Sequence, residues 1–204
     1  MILLLDLETG GLDSAKSPIL EIGAVWLHDD AEFFRCTRST RRTTIGPDAL
    51  RVNGLTPETN ADTSRILDTS AACELVGWVK SRTIEPRSVK LCGWNVHFDL
   101  RFLTDALTRA GIPIGTTPFS HQVFDLHSAL LLDRLRENSA CDPALYGSRT
   151  ILSGGDHGSK LIGIPEEAKP HNALAGALWA KSIAQKLISR VESLNPQPST
   201  LNEQ

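Results

Sequence analysis

Little in this sequence marks a secreted, membrane-bound or strongly basic protein. Its four cysteines, Cys36, Cys73, Cys92 and Cys141, are scattered, with no close pair and no Cys-x-x-Cys. That spacing argues against a disulfide framework or a zinc site and fits a reducing cytoplasm. No signal peptide precedes the first strand, and no apolar run approaches the ~20 residues of a membrane span. The formal net charge of -3 supplies no overall basic footprint. A nucleic-acid partner would have to be held by a local patch or a bound metal. No internal repeat is visible. With 204 residues, 41% of them hydrophobic and 22% charged, the chain suits one soluble domain with a sizeable core.

The apolar run Ile2 to Leu5 reads as a central strand covered on both faces. Residues two apart in a strand point the same way, so Asp6 and Glu8 project together from its end. Gly10 and Gly11 then break the strand. Residues 18–28 and 31–40 give two more strands around a polar turn at Asp29-Asp30, an antiparallel hairpin. Arg35, Arg38, Arg41 and Arg42 read as a solvated edge strand, with a phosphate-contacting surface as the lesser reading. Residues 43–63 predict mostly loop, with one helical turn at 47–52.

Ala72, Leu75, Val76 and Val79 recur at helical spacing, with Asp68, Thr69 or Ser70 available as a cap. Residues 89–93 predict a short buried strand. Phe98, Phe102, Leu103, Ala106, Leu107 and Ala110 form one stripe of a helix that Gly111 and Pro113 stop. Residues 121–125 predict a last strand, followed by a helix to about residue 136 with Leu126, Leu130 and Leu131 inward. The glycine-rich stretch 139–163 reads as a loop or lid. Residues 170–191 predict the final helix, with Leu174, Leu178, Ile183, Leu187 and Ile188 apolar. One domain over 1–192 and a loose tail over 193–204 follow. The expected fold is α/β, a mixed five-stranded central sheet with its first three strands antiparallel and helices around it.

Two acids at a buried strand's end are costly unless a cation neutralises them. Asp99 falls in the first turn of a helix, where the macrodipole favours an acid for structural reasons alone. His171 opens the final helix, where a lone histidine is usually a surface or helix-end residue. Taken together, these residues suit phosphodiester hydrolysis by two Mg²⁺ or Mn²⁺ ions about 3.5–4 Å apart, held by carboxylates. A histidine can take the proton from the attacking water.

The segments DLETGGL (6–12), GWNVHFDLRFL (93–103) and PHNALAGAL (170–178) resemble the motifs of DnaQ-like 3′–5′ exonucleases of the DEDDh type. IGPDALRVNGLTPE (45–58) also resembles a family segment. The resemblance implies an RNase H-like fold, with Asp6, Glu8 and Asp99 as ligands to two Mg²⁺ or Mn²⁺ ions. It implies catalytic roles for Glu8 and for His171, the latter as general base, and substrate contacts from Thr9, Gly10, Asn95 and Phe98. Single-stranded 3′ ends of DNA or RNA would be the substrate and nucleoside monophosphates the product. A polymerase subunit or a second copy of the chain would be the protein partner, with no membrane involved. Asp125 matches an acid that opens the following helix and is treated as structural.

The departure is Gly176, which stands where the family has its last metal-binding Asp. The next acid in that helix is Glu192. A glycine inside a helix costs about 0.5–1 kcal/mol relative to alanine, so Gly176 looks like a replacement. Asp156, Glu166 and Glu167 lie before His171, and only a loop would bring one in. The expectation is a weakened second ion, reduced hydrolysis and retained substrate binding. The alternative is a catalytically inactive module that binds nucleic-acid ends or a polymerase or other partner.

Overall fold

A computed structural model of the chain describes residues 1–40, 45–83, 85–137, 159–160, 162–167 and 169–194. Six strands form one sheet: β1 (Ile2–Thr9), β2 (Ile19–Trp26), β3 (Glu32–Arg38), β4 (Ile66–Leu67), β5 (Lys90–Gly93) and β6 (Phe124–Asp125). Their order is β4-β3-β2-β1-β5-β6. The β1–β2 and β2–β3 pairs are antiparallel, β5 joins parallel to β1, and β6 joins parallel to β5. The mixed sheet with three antiparallel leading strands is the one expected, with six strands rather than five. The extra strand, β4, has only two residues, too few for any alternation to show in the sequence. Because β4 pairs parallel to the end of β3, β3 is not a plain edge. Arg35 is engaged by Glu74 at 2.7 Å and by the Phe33 ring, and Arg38 by the Arg65 carbonyl at 3.1 Å. Arg41 and Arg42 lie outside the described residues.

Around the sheet stand α1 (Pro47–Asn53), α2 (Pro57–Ala61), α3 (Asp68–Lys80), α4 (Val96–Arg109), α5 (Leu126–Glu137) and α6 (Ala173–Leu194). α2 falls where mostly loop was predicted. Its signal was local chemistry: Pro57 in the first turn, and a reciprocal cap in which Thr56 and Thr59 exchange side-chain and backbone hydrogen bonds. The expected stretch 139–163 lies mostly outside the described residues, as does the tail beyond Leu194; α6 itself runs two residues past the predicted domain end.

β1 separates two cores. Leu3, Leu5 and Leu7 face α3 and α4, packed with Leu75, Val79, Phe102 and Leu103. Leu4 faces the other way, with Ala177, Ala180 and Ile183 of α6 and Leu126 and Leu130 of α5. α6 crosses β1 and β2 closely enough that a Cβ on Gly23 would strike the Ala173 carbonyl. That approach decides which face of α6 goes inward. The alanine face is buried, while Leu178 and Ile188, two of the apolar residues of the predicted helix, stay 37% and 38% exposed. Large side chains do not fit between elements so close.

Candidate active site

By the alternation of β1, Asp6 and Glu8 continue the face of Leu4, toward α6. Glu8 is 6% exposed. Asp99, 3% exposed, comes from the first turn of α4, beyond the end of β5. Its Oδ1 accepts a hydrogen bond from the Leu7 backbone N–H at 3.0 Å. That bond ties the second motif to the first strand. The turn into α4 passes through Asn95, whose φ of 55° is left-handed, a conformation asparagine tolerates better than most residues. Asp125 accepts from the Val96 and Ser128 backbone N–H groups at 3.2 and 2.8 Å, in keeping with a structural role at the starts of α4 and α5.

The opposite wall is the start of α6. His171 donates its backbone N–H to the Val52 carbonyl at 3.2 Å. Asn172 caps the helix, its Oδ1 accepting from the Leu174 and Ala175 N–H groups at 3.1 and 3.2 Å. Its amide donates to Glu21 Oε2 at 2.8 Å, and the Ala173 N–H reaches the same oxygen at 3.1 Å. Glu21 sits directly across the ladder from Glu8. Sequence reasoning missed it, because its role needs β2 and α6 in contact across 151 residues of chain.

A cleft of about 640 Å³ lies between the walls, lined by Asp6, Glu167, His171, Gly176, Trp94 and Trp179, with Arg51 and Lys169 also on its lining. Oxygens of Glu8 and Glu167 and a ring nitrogen of His171 lie within 4.8 Å of one another. His171 Nδ1 stands 3.6 Å from Glu167 Oε2. Trp94 and Trp179 meet at 5.6 Å between ring centroids, making an aromatic side to a cleft that carries both acidic and basic groups.

The four expected substrate contacts, Thr9, Gly10, Asn95 and Phe98, lie away from this lining. Thr9 donates its hydroxyl to the Gly11 carbonyl at 2.8 Å, and Gly10 donates its N–H to the Pro18 carbonyl at 2.9 Å. Both groups are used in shaping the turn after β1. Phe98 packs on Phe102 at 4.9 Å, against the α3/α4 core. Neither these three nor Asn95 are among the residues lining the cleft.

The electrostatics of the acids are lopsided. Burial pushes Asp6 well above the usual carboxylate range, and the charges of Asp99, Glu8, Glu167 and Glu21 push it further. Burial likewise raises Glu8, to about 7; a hydrogen bond from Asn53 opposes the rise, and the charges of Glu167 and Glu21 add to it. Asp99 is raised by burial against the opposing hydrogen bonds from backbone N–H groups, with Glu8 adding to the rise. Among the described residues no ion pair reaches Asp6, Glu8 or Asp99. Hard oxygen donors crowded in this way are the donor set that Mg²⁺ or Mn²⁺ takes. The residues present therefore fit a divalent cation.

No family model matches the chain, and no curated protein does. Solved structures do. Escherichia coli exonuclease I in complex with a dT13 oligonucleotide superposes with a TM-score of 0.69 at 17% identity, over 95% of this chain and 42% of that one. The cell-death related nuclease CRN-4 gives 0.66 at 15%, over 93% and 64%. The nuclease domain of 3′hExo, a DEDDh family member bound to rAMP, gives 0.64 at 13%, over 93% and 92%. The chain thus spans less than half of exonuclease I and nearly all of the 3′hExo nuclease domain. At these identities the likeness is one of fold: the chain has an RNase H-like fold.

Proposed function

We propose that this protein is a metal-dependent 3′–5′ exonuclease of the DEDDh type, acting on single-stranded 3′ ends of DNA or RNA and releasing nucleoside monophosphates. The observation that carries the reading is Asp6 of β1 on the lining of a cleft that His171 enters from the opposite wall, with Glu8 within 4.8 Å of His171 and Glu167 and with Asp99 bonded to the same strand at Leu7. The likeness to exonuclease I with dT13 and to 3′hExo with rAMP supports the substrate class.

Asp6, Glu8 and Asp99 would hold two Mg²⁺ or Mn²⁺ ions, which when bound supply charge for the phosphate oxygens and an activated water. The chain's own groups do the rest. His171, with Nδ1 turned to Glu167, takes the proton from the attacking water at Nε2. Trp94 and Trp179 offer faces on which a terminal base stacks. Arg51 and Lys169 meet backbone phosphates. Glu21 and Asn172 fix the start of α6, and with it the place of His171. Thr9, Gly10, Asn95 and Phe98 act on substrate through the shape of the two turns they build. We place the protein in the cytoplasm, with a polymerase subunit or a second copy of the chain as its protein partner. No described helix is long and apolar enough to cross a membrane.

A second reading, a non-catalytic module that binds nucleic-acid ends or a partner protein, draws on Gly176. Without an acid at that position the second ion is weakened and hydrolysis slowed, unless another group supplies the carboxylate. Melting in Mn²⁺ followed by incubation with a labelled single strand separates the two. Stabilisation with shortening of the strand supports the nuclease; stabilisation with an intact strand at every Mn²⁺ concentration supports the module.

A further inference from the structure

α6 brings no acid of its own to the cleft, yet the space above Gly176 is full of carboxylate. A Cβ built on Gly176 would run into Asp6 Oδ2, would stand 2.7 Å from Asp6 Cγ, and would lie 3.1 Å from Glu167 Oε1. Glu167 therefore sends one oxygen into the hollow at Gly176. Its other oxygen faces His171 Nδ1 at 3.6 Å.

The segment before Glu167 is anchored. Ile162 is 3% exposed in the core beneath α5 and α6. The Pro165 carbonyl accepts from the Trp179 indole N–H at 2.9 Å and from the Ser159 hydroxyl at 3.3 Å. The Ile164 N–H donates to the Ser159 carbonyl at 2.9 Å. Ser159 and Trp179, from before and after the segment, thus hold the backbone two residues ahead of Glu167. A surface glutamate reaching a cleft by chance would not need that grip.

We propose that Glu167 supplies the carboxylate that position 176 lacks, so that the metal-holding set of this chain is Asp6, Glu8, Asp99 and Glu167. The inference rests on the nuclease reading above and adds a ligand that comes from before His171 in the chain rather than after it. Gly176 then has a positive role. Any side chain there would displace the carboxylates that fill the hollow, and a helical glycine, unfavourable in itself, keeps the hollow open. A competing role for Glu167 is to orient His171 alone, as a positioning residue. That role uses Oε2, whereas the metal role uses the oxygen that lies in the hollow beside Asp6.

The test is Mn²⁺ binding by titration calorimetry, with no substrate present, on the parent chain, Glu167→Gln, Gly176→Asp and the pair Glu167→Ala/Gly176→Asp, beside Glu167→Ala alone. Glu167→Gln is expected to weaken Mn²⁺ at least about tenfold, the scale at which even supporting groups of a metal site act. Gly176→Asp alone is expected to bring no gain. In the pair, the freed hollow lets the introduced carboxylate approach, and it recovers most of the binding that Glu167→Ala loses. Circular dichroism checks that each variant is folded. Equal Mn²⁺ affinity in the parent and Glu167→Gln overturns the assignment. A changed pH profile of strand cleavage with that affinity unchanged would assign Glu167 to His171 instead. A folded parent that binds no Mn²⁺ would overturn the nuclease reading itself, a result distinct from either.

Discussion

The two walls of the cleft are built by different means. One is the end of β1 joined to α4: Asp6 and Glu8 at fixed strand alternation, and Asp99 bonded to the Leu7 N–H. The other is the start of α6 with the segment before it, where His171, Gly176 and Glu167 meet. The first wall is set by regular structure, so the spacing of its residues along the chain nearly determines their spacing in space. The second depends on anchors from distant parts of the chain, Glu21 on β2 and Val52 on α1, and on Trp179 one helix turn beyond Gly176. In the second, the segment before His171 brings Glu167 to the hollow at Gly176.

The sharpest way to break the comparison is at the first wall. Asp6→Asn is expected to lower strand cleavage more than about 100-fold, above the range for supporting groups of a metal site, and to abolish the rise in melting temperature on adding Mn²⁺. A loss of only a few-fold would mean that the wall does not hold the ions.

The same wall has a pH signature. Glu8 rises from 4.5 to about 7 on folding, so the folded state binds its proton more tightly than the unfolded chain. Without divalent ions, the contribution of this group is full below about pH 4.5 and is lost as pH rises through about 7. The loss is on the order of 3 kcal/mol. Glu8→Gln should flatten that fall in chemical denaturation between about pH 5 and 8, and Mn²⁺ should offset it in the parent. A parent whose stability climbs across this window would contradict the crowding of acids.

The second wall is probed at its footing. Gly23→Ala places a methyl against the Ala173 carbonyl, and overpacking of this kind costs about 1–3 kcal/mol. Urea unfolding should register that loss, and cleavage should slow as His171 moves with α6. A variant as stable and as fast as the parent would show that the close crossing does not set the wall.

A smaller effect belongs to the aromatic side. Trp179→Ala is expected to weaken binding of a short single strand by about 1–3 kcal/mol, read by fluorescence anisotropy in Ca²⁺. Because Trp179 also grips Pro165, Trp179→Phe separates the two roles. It keeps an aromatic face and loses the grip, so strand binding should persist while Mn²⁺ affinity falls.

The three antiparallel strands and the long helices were legible in the sequence, because hydrophobic periodicity and helix-stop chemistry report regular elements directly. β4 and α2 were not, being short and held by pairing or by caps rather than by pattern. Which apolar residues of α6 are buried was not legible either. An apolar stripe says that a helix packs, but the close crossing at Gly23 selects the alanine face. Within the site, Asp6, Glu8, Asp99 and His171 were named from their motifs, and the cleft brings Asp6, Glu8 and His171 against Glu167. Glu167 could be flagged as a nearby acid but not placed, since its position comes from Ser159, Ile162 and Trp179 acting on one loop. Glu21 carried no sequence signal beyond being an acid within an otherwise apolar strand.

The central claim is that the cleft removes nucleotides from a 3′ end with divalent metal. A 5′-labelled single strand incubated with the chain and Mn²⁺, beside Asp6→Asn and beside a strand whose 3′ end is blocked, tests it most directly. The account predicts a ladder of products shortened stepwise from the 3′ end, requiring Mn²⁺ and absent from both controls. An intact strand at every Mn²⁺ concentration, from a protein that is folded and binds the ion, would contradict it.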